Sequence, residues 1–181
     1  MTNNTHTTPR FIGCGSPMQE MVAAFDWSST PLGPLSAWDA SLSTAVSIVL
    51  HSKQPMLLWW GPDFVQIYND QFASSIRGGK HPQALGQQAA ACWPETWGQV
   101  GEQVHKAYSE GLSVRYDDAF LPIERNGRLE KAYWTYSYTP VFGAGDSIGG
   151  VLVVSVETTA TVLSHRRKAV LTQMDASLGA C

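Results

Sequence analysis

Apolar positions follow several distinct rhythms along the chain. Met18, Met21, Val22 and Phe25 recur at helical spacing behind Ser16-Pro17. Ser16 suits a cap, Pro17 the first helical position, and Gln19 sits three after the cap, which together predict a short helix with one apolar stripe. Pro31-Leu32-Gly33-Pro34 then breaks the chain. Trp38, Leu42, Ala45, Val46, Val49 and Leu50 mark one face of a second helix, starting near Ser36 and ending before Pro55. Two compact apolar runs, Met56 to Trp60 and Phe64 to Tyr68, flank Gly61-Pro62 and predict a β-hairpin. Asn69-Asp70 suits a helix cap, and short helical pieces, interrupted by Gly78-Gly79 and Gly86, are expected to about Trp93. Trp97, Val100, Val104 and Tyr108 then define an amphipathic helix over Glu95 to Tyr108. Glu95 favours the positive end of its dipole, and Gly111 marks its stop.

The second half changes to period two. Ser113 to Ile123 and Arg128 to Val141 are the arms of an expected hairpin about the Asn126-Gly127 turn. In the second arm Trp134, Tyr136 and Tyr138 are the bulkier alternate set and are assigned to the inner face. The β-branched run Ile148 to Val156 is expected to be a central strand. A polar helix follows from Thr158. Leu163 and Val170, and again Leu171 and Leu178, lie seven apart with Met174 between, a hint of about two heptads. Strands in runs rather than alternating with helices predict an α+β fold with an antiparallel sheet.

Composition sharpens this picture. Of 181 residues, 44% are hydrophobic and only 15% charged, against roughly 25% charged in average domains, and seven are Trp. Such a chain builds a core and is not disordered. A net charge of −3 supplies no broad basic field, so His165-Arg166-Arg167-Lys168 reads as a solvated helix face and no nucleic-acid partner is expected. Cys14, Cys92 and Cys181 are odd in number and lack a CxxC pair, which fits a reducing compartment. The polar start MTNNTHTTPR has no signal-like stretch, and residues 1–15 are expected to be a flexible tail. Apolar runs such as Val151 to Val154 fall far short of the ~20 residues of a membrane span. A cytoplasmic protein without a membrane span is the expectation.

Catalytic motifs are missing. Gly13-Cys14-Gly15 does not continue as a dinucleotide fingerprint, and there is no phosphate loop, nucleophile elbow or zinc pair. The five His are scattered without metal-ligand spacing, so no enzyme activity and no metal site are expected. His105 on the long helix has two readings, haem ligand or proton switch against a partly exposed helix residue, and the second is preferred. One of Asp117-Asp118 should face inward on a regular strand, or the pair guards an edge. The aromatics either fill a core or line a small-molecule pocket. Buried indole N–H and phenol O–H groups need partners, some of which a ligand could supply.

Several blocks together resemble the PAS domains found at or near the N-terminus of bacterial sensor histidine kinases. They are Asp26-Trp27-Ser28-Ser29-Thr30-Pro31-Leu32-Gly33-Pro34, Pro55-Met56-Leu57-Leu58-Trp59-Trp60-Gly61-Pro62 and Tyr68-Asn69-Asp70. Lys80-His81-Pro82, Trp93-Pro94-Glu95, Arg125-Asn126-Gly127, Tyr136-Ser137-Tyr138-Thr139-Pro140 and Glu157-Thr158-Thr159 extend the match over about residues 26 to 160. The resemblance implies a five-stranded antiparallel sheet in the order 2-1-5-4-3, with flanking short helices and one long helix enclosing a pocket. It implies an N-terminal helical extension (16–54), a PAS core (55–157) and a C-terminal output helix (158–181). Residues two, four and six before Pro140 face the pocket in such sensors: Tyr138, Tyr136 and Trp134. Trp97, Phe120 and Ser155 complete the candidate lining, with Val153 and Asp118 at the same parity. Light-sensing relatives with bound flavin carry Asn-Cys-Arg-Phe-Leu where this chain has Ala91-Cys92-Trp93-Pro94, which argues against flavin photochemistry. His105 stands too late on its helix for a haem ligand. The implied function is sensing: a small organic ligand or a partner shifts the domain, and the helix after Glu157 relays the change to a histidine kinase or other effector, commonly in a homodimer. A ligand-free dimerisation module and a haem redox sensor are the alternatives.

Overall fold

The structure is a computed structural model that describes residues 9–178. Helix α1 (Pro17–Ala24) begins at Ser16, whose hydroxyl accepts the Gln19 N–H at 3.3 Å. Helix α2 (Ala40–His51) starts later than its apolar spacing suggests. Asp39, not Ser36, accepts the Leu42 N–H at 2.7 Å and caps it, and Leu35–Ala37 forms a separate 3-10 turn behind Pro34. Strands β1 (Met56–Trp60) and β2 (Val65–Tyr68) form the expected hairpin. Asn69 caps α3 (Asp70–Ser75) by accepting the Phe72 N–H. Helix α4 (Ala89–Cys92) leads to the long helix α5 (Trp97–Glu110), which Gly111 ends in the left-handed conformation at φ 68°.

Strand β3 (Val114–Phe120) is shorter than the sequence suggests. Pro122 has no N–H for a ladder, and the chain leaves the sheet there. The Asn126-Gly127 turn, with both φ positive, closes a small separate hairpin of β4 (Ile123–Arg125) and β5 (Arg128–Glu130). Strands β6 (Tyr133–Phe142) and β7 (Ile148–Glu157) complete the main sheet, and helix α6 (Thr159–Leu178) follows. The main sheet is antiparallel in the order β2-β1-β7-β6-β3. With the small hairpin set aside, that is the 2-1-5-4-3 order of a PAS fold.

Helix α5 lies against β6 and β7 on one face, while α2 crosses β1, β2, β6 and β7 on the other. The pleat sorts the tryptophans accordingly. Trp59 faces α5, stacked near Tyr138 at 6.1 Å, whereas its neighbour Trp60 turns to the opposite face and covers Gly149 and Gly150. A Cβ on Gly150 would meet the Trp59 carbonyl oxygen at 2.5 Å, so only glycine permits this approach. Trp27 and Trp38 hold the extension down, their rings 5.1 Å apart and edge-on. Packing against the core also begins N-terminal to α1. Ile12 is fully buried and Phe11 packs 6.1 Å from Trp38, because a polar segment with two large apolar residues gains more from burial than from freedom. Residues 1–8 of the expected tail, Cys181 and the side chain of Leu178 lie outside the described residues. Cys14 and Cys92 are both unpaired. Among the described residues, no helix is long and apolar enough to cross a membrane, and no cluster of His, Cys, Asp or Glu is arranged to hold a metal.

Candidate functional site

Between α5 and the sheet lies a cavity of about 80 Å³. Its floor is the inner parity of three strands: Leu57 and Trp59 from β1, Trp134, Tyr136 and Tyr138 from β6, and Val153 and Ser155 from β7. Phe72 and Ile76 from the α3 region and Trp93, Thr96 and Val100 from the α4–α5 region form the walls. Leu121, Pro122 and Ile123, where the chain leaves the sheet, complete it. Four of the six candidates from the sequence are therefore brought together: Trp134, Tyr136, Tyr138 and Ser155.

Phe120 and Trp97 do not line it. Phe120 is 46% exposed and sits beside Tyr133 on the outer side. A bulge explains this: the β3–β6 register shifts between Tyr116 and Ala119, so Tyr116 pairs with Tyr136 and Ala119 with Trp134. One extra residue moves the inner parity from 118 and 120 to 119. Asp118 takes φ 49° in the bulge, and both it and Asp117 are exposed, with Asp117 in an ion pair to Arg115 at 2.7 Å. The two aspartates thus lie on the edge strand and put no carboxylate inside. Trp97 folds over Gly101 of its own helix and packs edge-on to Trp59 and Phe64, away from the cavity. His105 is exposed beside Phe64 and Trp97 and does not reach the cavity.

The polar groups of the aromatics that line the cavity find partners within the protein. Gln66, fully buried on β2, accepts from Trp59 Nε1 at 3.2 Å and Trp93 Nε1 at 2.9 Å, and donates to the Ala84 carbonyl at 2.7 Å. Trp134 Nε1 donates to the Leu121 carbonyl at 3.0 Å. Tyr136 and Tyr138 both donate to Gln103 Oε1, at 2.8 and 3.4 Å. Burial, reinforced by the neighbouring phenols, pushes Tyr138 well above its usual range. Burial also raises Tyr136 against the opposing hydrogen bond to Gln103. Both phenols are neutral at physiological pH. Gln66 and Gln103 escaped the sequence reading, because a lone glutamine has no periodic signature. The one available signal was the surplus of buried donors, which requires acceptors.

Two charge pairs frame the site. Lys80 and Glu95 meet at 2.9 Å with side chains only 12% and 11% exposed, and Lys80 lies 5.5 Å from the Trp93 ring centre. Arg125, on the small hairpin, donates to Glu157 Oε2 at 2.7 Å and to the Ser75 carbonyl at 2.7 Å, and stacks 5.8 Å from the Trp134 ring centre. Thr159 donates to Glu157 at 2.8 Å and accepts the Tyr133 N–H at 2.9 Å, while the Thr158 N–H donates to the Tyr133 carbonyl at 2.7 Å. Burial alone would raise the Glu157 carboxyl. The hydrogen bonds from Arg125 and Thr159 and the guanidinium charge outweigh it and hold the group below its usual value. The root of α6 is thereby tied to β6 and to the hairpin that walls the cavity. Arg166, within the basic cluster, packs on the Tyr133 ring and donates to its hydroxyl at 2.8 Å.

No family model matches the chain, and no curated protein does. Among solved structures, the fold is similar to that of an RNA-binding light-oxygen-voltage receptor, with a TM-score of 0.52 at 14% identity, over 71% of this chain and 36% of that one. A LOV protein of Rhodobacter sphaeroides gives 0.50 at 17% identity over 65% of this chain and 66% of that one. The RsLOV d2 variant gives 0.51 at 18% identity over 66% and 68%. At such identities the likeness is one of fold, and the chain has the PAS fold. It spans 36% of the length of the RNA-binding receptor.

The residues do not fit a flavin. A cavity of about 80 Å³ is too small for a three-ring cofactor, drug-sized ligands needing roughly 300 Å³ or more. Cys92 is not among the lining residues, and burial raises its thiol despite a hydrogen bond to Gln66, so it stays protonated.

Proposed function

We propose that this chain is a non-catalytic, cytoplasmic sensory domain that binds a small molecule in the cavity and relays a conformational change through α6 to a histidine kinase or other effector. The supporting observation is the path from cavity to helix. Ile123, a cavity wall, and Arg125, the partner of Glu157, are two residues apart on β4. An occupant that displaces Ile123 acts on the ion pair at the root of α6. Relay requires that the occupant prefer one arrangement of hairpin and helix. A second reading, a ligand-free dimerisation module, draws support from the small cavity, from the internal partners of the aromatic donors, and from exposed Leu163, Val170, Leu171 and Met174 on α6. Mass spectrometry of the purified chain under native and denaturing conditions separates them. A native mass exceeding the denatured mass by a constant small increment per chain is expected for the sensor. A dimer of bare chains, with no increment after exposure to cell extract, would favour the module.

A further inference from the structure

The cavity is small, mostly apolar, and free of charge. None of its lining residues is ionised: the phenols of Tyr136 and Tyr138 are neutral, Glu95 is matched by Lys80, and Arg125 is engaged outside by Glu157. A charged occupant would be stripped of water with no counter-ion to receive it. Besides the two phenols, the hydroxyl-bearing residues that line the cavity are Ser155 on β7 and Thr96 before α5. Ser155 is buried beside Tyr136, its partner across the strands. Most of the lining side chains are apolar, so the volume favours a guest with an apolar body over water, which needs roughly two to four polar partners. An apolar cavity of about 150 Å³ admits benzene, so this volume suits a smaller guest.

We propose that the cavity takes an uncharged molecule of roughly three to five non-hydrogen atoms, with an apolar body and one hydroxyl, carbonyl or amide group bonded to Ser155. This rests on the reading of the cavity as a ligand site. The guest's polar group either donates or accepts, because a serine hydroxyl does both.

The test is a methyl and amide NMR titration of the intact chain with 1-propanol, propionate, propylammonium and benzyl alcohol, and with xenon under pressure. Saturable shifts at Ile76, Val100 and Val153 are expected with 1-propanol and with xenon, and about tenfold weaker binding with either ion. Ser155→Ala is expected to weaken 1-propanol about fivefold, the loss of one hydrogen bond, and to leave xenon unchanged. Equal binding of propionate or propylammonium would overturn the uncharged class while leaving the ligand site standing. Tighter binding of benzyl alcohol would overturn the size limit, and an unaffected Ser155→Ala the assigned contact. Silence from every probe, xenon included, would overturn the ligand site itself.

Discussion

Gln66 and the two indoles it accepts decide how the aromatic half of the core is held. Trp59 and Trp93 come from different elements, and each would bury an unpaired N–H without the one amide oxygen between them. Leaving a buried donor unpaired costs roughly 1–3 kcal/mol. Gln66→Leu, similar in volume, is therefore expected to destabilise the chain by about 2–4 kcal/mol, seen as a lower urea midpoint at unchanged slope. The pattern of apolar residues announces the tryptophans and the tyrosines. It does not announce their acceptors, because hydrogen-bond partners are chosen by three-dimensional proximity and not by period. The bulge at Asp118 is another residue-scale event outside the reach of alternation. A single extra residue reverses every parity beyond it, which moved Phe120 outward while Trp134, Tyr136, Tyr138 and Ser155, on unbulged stretches, fell where alternation put them.

At the scale of elements, the strong periodic segments were legible. The α1 cap, the β1–β2 hairpin, α5 with Gly111, and β7 all follow from spacing and turn chemistry. The Asn126-Gly127 turn was legible too, but not what it joins: Pro122 detaches it from the sheet, and the hairpin becomes a strap between cavity and α6. That strap carries a prediction. Glu157 has its folded value below 4.5, so the stability it contributes is in full above the unfolded value and is lost as pH falls through the lower folded one. Arg125→Gln is expected to speed amide exchange at Thr158 and Val162 roughly fivefold at pH 7, as for a partly exposed ion pair. The difference from the parent chain is expected to vanish in acid below the folded value of Glu157. Equal exchange rates in the two proteins at pH 7 would remove the strap from the account.

For the molecule as a whole, the low charge fraction first indicated only a sizeable core. The structure divides that core into an extension clamped by Trp27 and Trp38, an outer face under α2, and an inner face that is nearly full. His81 links it to pH. Burial, and next the charge of Arg77, lower its value against the opposing Asp70, and its Nδ1 lies 3.1 Å from Tyr68 Oη. A folded value below 6.5 means that the stability tied to neutral His81 is in full above pH 6.5 and is lost as pH falls through the folded value. Thermal unfolding followed across that range is expected to show a falling midpoint that His81→Gln flattens. Relay from the cavity through β4 to α6 is the property proposed for the whole molecule. Its most direct measurement is amide exchange at Tyr133 and Thr158 while the cavity is saturated with 1-propanol, in the parent chain and in Arg125→Gln. A change at both amides in the parent, absent in the variant, is the predicted result. Amides around the cavity that respond while Tyr133 and Thr158 stay unmoved in the parent would contradict it.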